Sequence, residues 1–461
     1  MEADQAFREK TGIKLMRFML ATVALSSMSV LMFSIVIPEI ARELELSLAQ
    51  VSWLSSGYIL VYAFGTVTYG KLADRFQLKN ILTFGLILFA TGSLIGLFSP
   101  SFAAALAGRL IQAAGASVVP AMAMLIPVRY FAPERRASAM SMTAIGLALG
   151  NVLGPVVSAM IVSFAGWRWL FVPPMLLLVL LPFFRKYLDL PASAPSARFD
   201  GWGGALLLAA MSLLLLGITY GSWELIVLGV LTLPAFYLRI RYSRHPFIQP
   251  QLFRNAGYRT GLLMTILVAG IANGLFYLSP IMFAGVYEMK AEWIGYALVP
   301  AAFASALLGK KGGKLADRKG SFALYSLAAG LMIACFVLLS VSVGEIGMWF
   351  IPFILILGNV GQTFMQVAIA NAVSTTLPPD QVGVGMGLFS MSNFIALGMS
   401  TGLYSLLVEG GALGWSLLHD DPLSSMFGNL YLILALMHAL LLGYYYRSQV
   451  KRKTLSSVVL K

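Results

Sequence analysis

Charge is what this chain has little of. Asp, Glu, Lys and Arg together make up 11% of its 461 residues, hydrophobic residues make up 59%, and the mean hydropathy is +0.83. A soluble domain carries about a quarter charged residues. The composition therefore excludes a soluble globular protein and fits a polytopic membrane protein. Cysteine occurs once, as Cys335 inside an apolar run, which excludes a disulfide framework and a cysteine metal cluster and leaves a small buried hydrophobe. The three histidines, His245, His419 and His438, lie far apart with no helical spacing. There is no phosphate loop, no metal-ligand spacing and no carboxylate pair inside an apolar run. We therefore expect no enzyme, no cofactor, no metal and no ATP-driven step. All nineteen acidic residues fall in tails, loops or the ends of apolar runs, with Glu39, Glu224 and Glu292 nearest the hydrocarbon.

What the chain has instead is fourteen apolar runs long enough to span a bilayer, beginning near Leu15. Residues 1–14 are polar and charged, so no cleavable leader is expected. Lys and Arg sort by loop. With the N-terminus in the cytoplasm, only Arg42, Arg168 and Lys290 fall outside, and only Arg109 falls well within a span. Both termini are expected to be cytoplasmic in a plasma-membrane protein. The net charge of +13 then belongs to the inner membrane face and its anionic lipids, not to nucleic acid.

One hexapeptide organises the rest. GKLADR occurs at Gly70–Arg75 and again at Gly313–Arg318, each time in a short charged turn between apolar runs. The first copy follows run 2 and the second follows run 10, so the chain is a duplication with runs 7 and 8 as an insert. The expected fold is all-α: a tail at 1–14, a six-helix bundle at 15–188, a linker with two extra helices at 189–257, a second six-helix bundle at 258–446 and a tail at 447–461. Within the motif, Gly70 suits close helix packing. Asp74 is expected at the positive end of the following helix, with Lys71, Arg75 and Lys79 around it. Asp317 and Arg318 repeat the pattern, and both turns read as latches.

Other positions carry their own chemistry. Gly146, Gly150 and Gly154 recur every four residues and so line one helix face, and Pro155 removes a backbone donor there. A smooth, bendable helix of this kind suits a rocking interface between halves. An arginine within a span is costly unless paired or wetted. Arg109, which shares a helix face with Gln112, is therefore either functional or a brace bonded to carbonyls. Asn151, Gln362 and Gln366, together with Asn273, Asn359, Asn371 and Asn393, supply uncharged polar groups in or near spans, and the 23 methionines offer an adaptable wall. The titratable candidates for proton work are Glu39, Asp74 and His438, the last with an ordinary pKa near neutrality.

These motifs resemble the major facilitator superfamily, whose signature in this loop matches Gly70, Leu72, Asp74, Arg75 and Lys79, with Gln77 where the family has glycine; the second copy keeps Gly320. SIVIPEI with Pro38 and VSWLSSGYIL with Trp53 and Tyr58 are similar to the start of the 14-helix drug/proton antiporters. Arg109, Gln112 and Gly115 match the second family motif, and GLALGNVLGP matches the exporter motif. The stretch from Arg109 to Trp169 is most similar to Gram-positive tetracycline exporters. The resemblance implies a role for Arg109 in proton coupling or substrate binding. It also implies an Asp in the middle of helix 1, where this chain has Ser29. The expectation is a monomeric secondary exporter of hydrophobic or amphipathic drugs, exchanging them for protons. An exporter or flippase of an endogenous metabolite or lipid, and a non-transporting membrane sensor, remain as alternatives.

Overall fold

A computed structural model describes residues 2–459 except 47, 52, 189–199, 244–245, 290, 379–380 and 412–419. The described chain is helical from end to end. The first half contains α1 (Glu2–Glu43), the single turn α2 (Leu48–Val51), α3 (Trp53–Arg75), α4 (Leu78–Leu97), α5 (Phe102–Ala116), α6 (Val118–Tyr130), α7 (Arg136–Ala165), α8 (Val172–Met175) and α9 (Leu177–Tyr187). The insert is α10 (Gly201–Tyr220) and α11 (Trp223–Tyr242), followed by the short α12 (Gln251–Arg254). The second half contains α13 (Ala256–Gly285), α14 (Ala291–Lys319), α15 (Ser321–Ser342), α16 (Ile351–Ser374), α17 (Val382–Glu409) and α18 (Pro422–Val459).

Twelve helical segments among the described residues are long and apolar enough to cross a membrane. Two expected spans are not among them, although both are helical. Trp53–Arg75 is diluted by serines, tyrosines and threonines, and the described apolar stretch of α10 runs only from Gly201 to Leu214. The fourth expected span divides at Ser117 into α5 and α6, with Pro120 in the first turn of α6, where a missing N–H costs nothing. The sixth divides at Leu176, just after Pro173 and Pro174 in α8. Both expected tails extend neighbouring helices: α1 already begins at Glu2, and α18 runs on to Val459.

Within the first half α1 packs on α7 and α4 on α5; within the second half α13 packs on α17 and α15 on α16 and α18. The α4–α5 seam is built on glycine. A Cβ on Gly108 would lie 2.6 Å from the Gly96 nitrogen, so the two backbones touch where any side chain would hold them apart. The insert pairs α10 with α11 and leans α10 on both α3 and α17, one helix from each half.

The apolar core reveals how the halves meet. At the end carrying both GKLADR copies, one continuous cluster joins them, from Leu15, Leu82 and Ile126 on one side to Tyr258, Leu324 and Met386 on the other. At the opposite end the core divides. Phe33, Leu54 and Phe171 form a cluster belonging to the first half, and Phe283, Phe336 and Tyr431 form one belonging to the second. The molecule is therefore sealed at the motif end and separated at the other.

Candidate functional site

Each GKLADR copy sits at a crossing between halves. Gly70 on α3 lies against Gly383 and Gly387 on α17, and a Cβ on Gly387 would lie 3.0 Å from the Val67 Cα. Asp74, in the last turn of α3, sets its carboxylate against Gly383 and Val384 in the first turn of α17. The second copy mirrors this. A Cβ on Gly313 of α14 would lie 2.7 Å from the Ser138 Cα of α7. Asp317 accepts hydrogen bonds from the Ala137 and Ser138 amides, both at 3.0 Å, in the first turn of α7.

These contacts revise two expectations. Asp74 does cap a positive helix end, but that end belongs to α17 in the other half and not to the next helix in sequence, because α3 continues through Arg75. Gly70 likewise packs against the opposite half. Orphan N–H groups at a helix start favour a carboxylate, so each motif binds the other half's helix. Around Asp74, Arg129 Nη2 lies 3.8 Å from the carboxylate and donates to the Ala73 carbonyl at 2.7 Å. Burial, the largest influence, pushes the Asp74 carboxyl up to about 6, against the pull of Arg129, Lys71 and the two α17 amides. Arg75 and Arg318 are exposed, and among the described residues neither forms an ion pair across the halves.

The insert reaches the same region. Lys71 Nζ donates to the Pro246 carbonyl at 3.4 Å, and Phe247 is fully buried and stacks 6.2 Å from Phe64. Asp200, just before α10, accepts from Arg239 at 2.8 Å and from the Gly203 amide at 3.1 Å. Burial alone would raise its carboxyl, but these donors and the Phe247 amide outweigh it and hold the pKa below the usual value.

Arg109 is fully buried and satisfied by neutral groups. It donates to the Leu54 carbonyl and the Ser29 carbonyl at 3.2 Å each, to Ser29 Oγ at 3.4 Å and to Gln112 Oε1 at 2.5 Å. Gln112 in turn donates to Ser93 Oγ at 2.7 Å, and the guanidinium lies 3.9 Å from the Tyr58 ring centroid and 4.1 Å from that of Phe33. The arrangement ties α1, α3, α4 and α5 together.

Between the halves lies a cavity lined by Ser27, Tyr62, Thr143, Gln366, Ser390 and Asn393 among apolar neighbours that include Met124, Met140, Phe389 and Phe394. No charged side chain lines it. A second pocket shares Gln366, Phe389 and Asn393 and adds Thr265 and Gln362, whose buried Oε1 has no hydrogen-bond partner. Tyr62 and Phe394 close the cavity edge to face across the halves, with centroids 4.8 Å apart. The free space in the main cavity is about 60 Å³. Pockets that take drug-sized ligands run to about 300–1,000 Å³, so a ligand enters only after these walls move.

Other candidates stand apart from the cavity. Glu39 is exposed near the end of α1. Asn151 is half-buried on α7 and is not a lining residue. His438 is fully buried between α18 and α15, stacked 5.8 Å from Phe336, with neither ring nitrogen hydrogen-bonded. The glycine face of α7 also meets a different partner from the one expected. Gly146, Gly150 and Gly154 lie on Leu20, Ala24 and Met28 of α1, inside the first half, whereas the face meeting the second half is Ala137, Ser138, Ser141 and Ile145. Pro155 is within α7, but its side chain lies outside the described residues. Sequence inspection alone missed Ser27, Tyr62, Thr143 and Ser390, since isolated hydroxyls in apolar runs carry no spacing signal.

Two related helical bundles around a central cavity, sealed at one end by paired contacts, make up the architecture of a secondary membrane transporter. Residues 19–402 match the family model of the Major Facilitator Superfamily, and the chain belongs to that superfamily. It is similar to the riboflavin transporter RibZ of Clostridioides difficile, at 21% identity over 83% of this chain and 85% of that protein. It is also similar to the multidrug resistance protein B homolog of Mycobacterium tuberculosis, at 27% identity over 78% and 69% respectively. Among solved structures, the human organic anion transporter MFSD10 superposes with a TM-score of 0.66 at 15% identity, covering 93% of this chain and 99% of that one. The proton:xylose symporter XylE gives 0.66 at 13% identity, covering 95% and 96%.

Proposed function

We propose that this protein is an efflux transporter of hydrophobic or amphipathic drugs, tetracycline-like compounds among them, working by alternating access in exchange for protons. The observation that carries the reading is the cavity between the halves: hydroxyls and amides interleaved with aromatic rings and methionines, without a fixed charge. Such a wall suits several uncharged, partly apolar ligands. We read fourteen spans in a monomer, with both termini and both GKLADR segments cytoplasmic, on the distribution of Lys and Arg. In that orientation the sealed motif end faces the cytoplasm and the conformation is outward-facing.

The proton reading rests on Asp74. Among the described residues the buried carboxylates are Asp74 and Asp200; only Asp74 touches the contact that must open and close, and its carboxyl titrates near 6. Everted vesicles given a pH gradient should accumulate a fluorescent drug, and expression in an efflux-deficient host should raise drug tolerance. No movement of drug in vesicles and unchanged sensitivity in cells would overturn the proposal. A second reading, export of an endogenous planar metabolite, is favoured by Tyr62, Phe389 and Phe394 around the cavity and by the similarity to a riboflavin transporter. It predicts altered extracellular flavin on deletion with no drug present.

A further inference from the structure

We infer that the second half carries an anionic-phospholipid site on its membrane face, between α14, α15 and α16. A groove of about 420 Å³ opens there, lined by Leu308, Leu315, Leu327, Leu331 and Phe364 and by one charged residue, Lys311. All three helices are membrane-crossing segments, so the occupant comes from the bilayer. Gly312 shapes the groove. A Cβ there would strike the Phe364 ring, so a side chain would displace the wall that Phe364 forms.

The depth of the lysine identifies the ligand class. Lys311 lies eight residues before the end of α14 at Lys319, about 12 Å of helix rise. The α16 residues of the groove, Ile356 to Phe364, lie ten to eighteen residues before the end of α16 at Ser374, about 15–27 Å deep. Leu315 and Leu327 lie somewhat shallower, about 6 and 9 Å from the ends of α14 and α15, so the cation sits about one turn inside the mouth of the groove, with only apolar side chains deeper. Lys310 and Lys314 are exposed on the adjoining turn, and none of the three lysines has an acidic partner among the described residues. An acyl chain fills the apolar length while a phosphate with a net negative headgroup meets the lysines. A zwitterionic lipid would add a cation at the same place and lose that attraction.

The test uses the full chain in detergent with phosphatidylglycerol or phosphatidylcholine, read by native mass spectrometry after a delipidating wash. Phosphatidylglycerol should be retained, and phosphatidylcholine retained at least about fivefold less, the factor that about 1 kcal/mol per lysine implies. Lys311→Gln should cut phosphatidylglycerol retention by about the same factor, and Leu331→Trp should abolish it by filling the groove. Lys186→Gln, an exposed cation on the other half, should change nothing. Lipid-free melting temperatures establish folding, and the exposed Lys311 variant decides the matter if the tryptophan variant does not fold. Equal retention of both lipids, or parental retention by Lys311→Gln, would overturn the site.

Discussion

Arg109 holds four helices together through carbonyls, a hydroxyl and an amide, with no carboxylate among its partners. Removing the guanidinium leaves Gln112 Oε1 without its donor in the interior, at about 1–3 kcal/mol, while the Ser29 and Leu54 carbonyls fall back on their helical bonds. Arg109→Ala should therefore lower the thermal midpoint of the purified protein, by about 1–3 kcal/mol in unfolding free energy. Lysine should restore little of this, lacking the fork that reaches several acceptors. Asp74 gives a prediction in pH. Its carboxyl is near 6 in the sealed state and near the ordinary 3.8 once opened to water. The sealed state thus holds the proton more tightly; this contribution to sealing is fully present below about 3.8 and is lost as pH rises through about 6. The protection of the Gly383 and Val384 amides from hydrogen exchange, relative to the intrinsic rate at each pH, should rise between pH 7 and pH 5, and Asp74→Asn should flatten that dependence. The sequence made Arg109 conspicuous, because a cation inside an apolar run is costly, but it left open whether the residue works or braces. One departure from the family pattern now has a cause. Gly320 adopts φ +86°, a conformation costly for L side chains, whereas Gln77 sits at φ −65°. The two turns leave their motifs along different backbone paths, and only the second needs glycine.

At the scale of the helix, α7 has two working faces. One carries Gly146, Gly150 and Gly154 against α1, and the other meets α14 through Ala137, Ser138 and Ile145. A side chain at Gly150 would collide with Ser27 Oγ and the Ala24 carbonyl. Gly150→Leu should therefore destabilise the first half by about 1–3 kcal/mol, as overpacking does, seen as a lower melting temperature. A rocking role for that face would instead leave stability intact and change the exchange rate between conformations. Four-residue glycine spacing was legible in the sequence as a packing face; its partner was not, since periodicity fixes which residues share a side and says nothing of what lies opposite. The membrane-crossing runs were legible for a simpler reason: a bilayer demands long apolar segments. Where hydroxyls and tyrosines dilute the run, as in Trp53–Arg75, the same signal fades although the helix persists.

At the scale of the molecule, the two clasps bias one equilibrium. Asp74 and Asp317 hold different helix starts, yet both are made or broken when the halves rock at the motif end. Asp74→Ala and Asp317→Ala, which leave the helix-start amides of α17 and α7 without an acceptor, should each speed labelling of an introduced cysteine facing the cavity from that end. In the double variant the two fold-changes should multiply, because free energies acting on one equilibrium from independent sites add. A double variant no faster than the quicker single one would mean that one clasp alone governs opening. The duplication was visible in six repeated letters. The crossing was not, because the aspartates' partners, Gly383 with Val384 and Ala137 with Ser138, carry no motif of their own.

The crossing has a consequence for ancestry. The first half gives an aspartate to a helix start in the second, and the second returns an aspartate to the matching helix start in the first, so the interface is isologous in the sense used for two-fold dimers. A single six-helix chain bearing one GKLADR and one such helix start would have sealed both seams by pairing with a copy of itself. Fusion of two such copies would have preserved that symmetry and freed each seam to diverge alone, as the separate fates of Gln77 and Gly320 record. The two halves, expressed as separate chains, still carry the complementary surfaces such a dimer would have used.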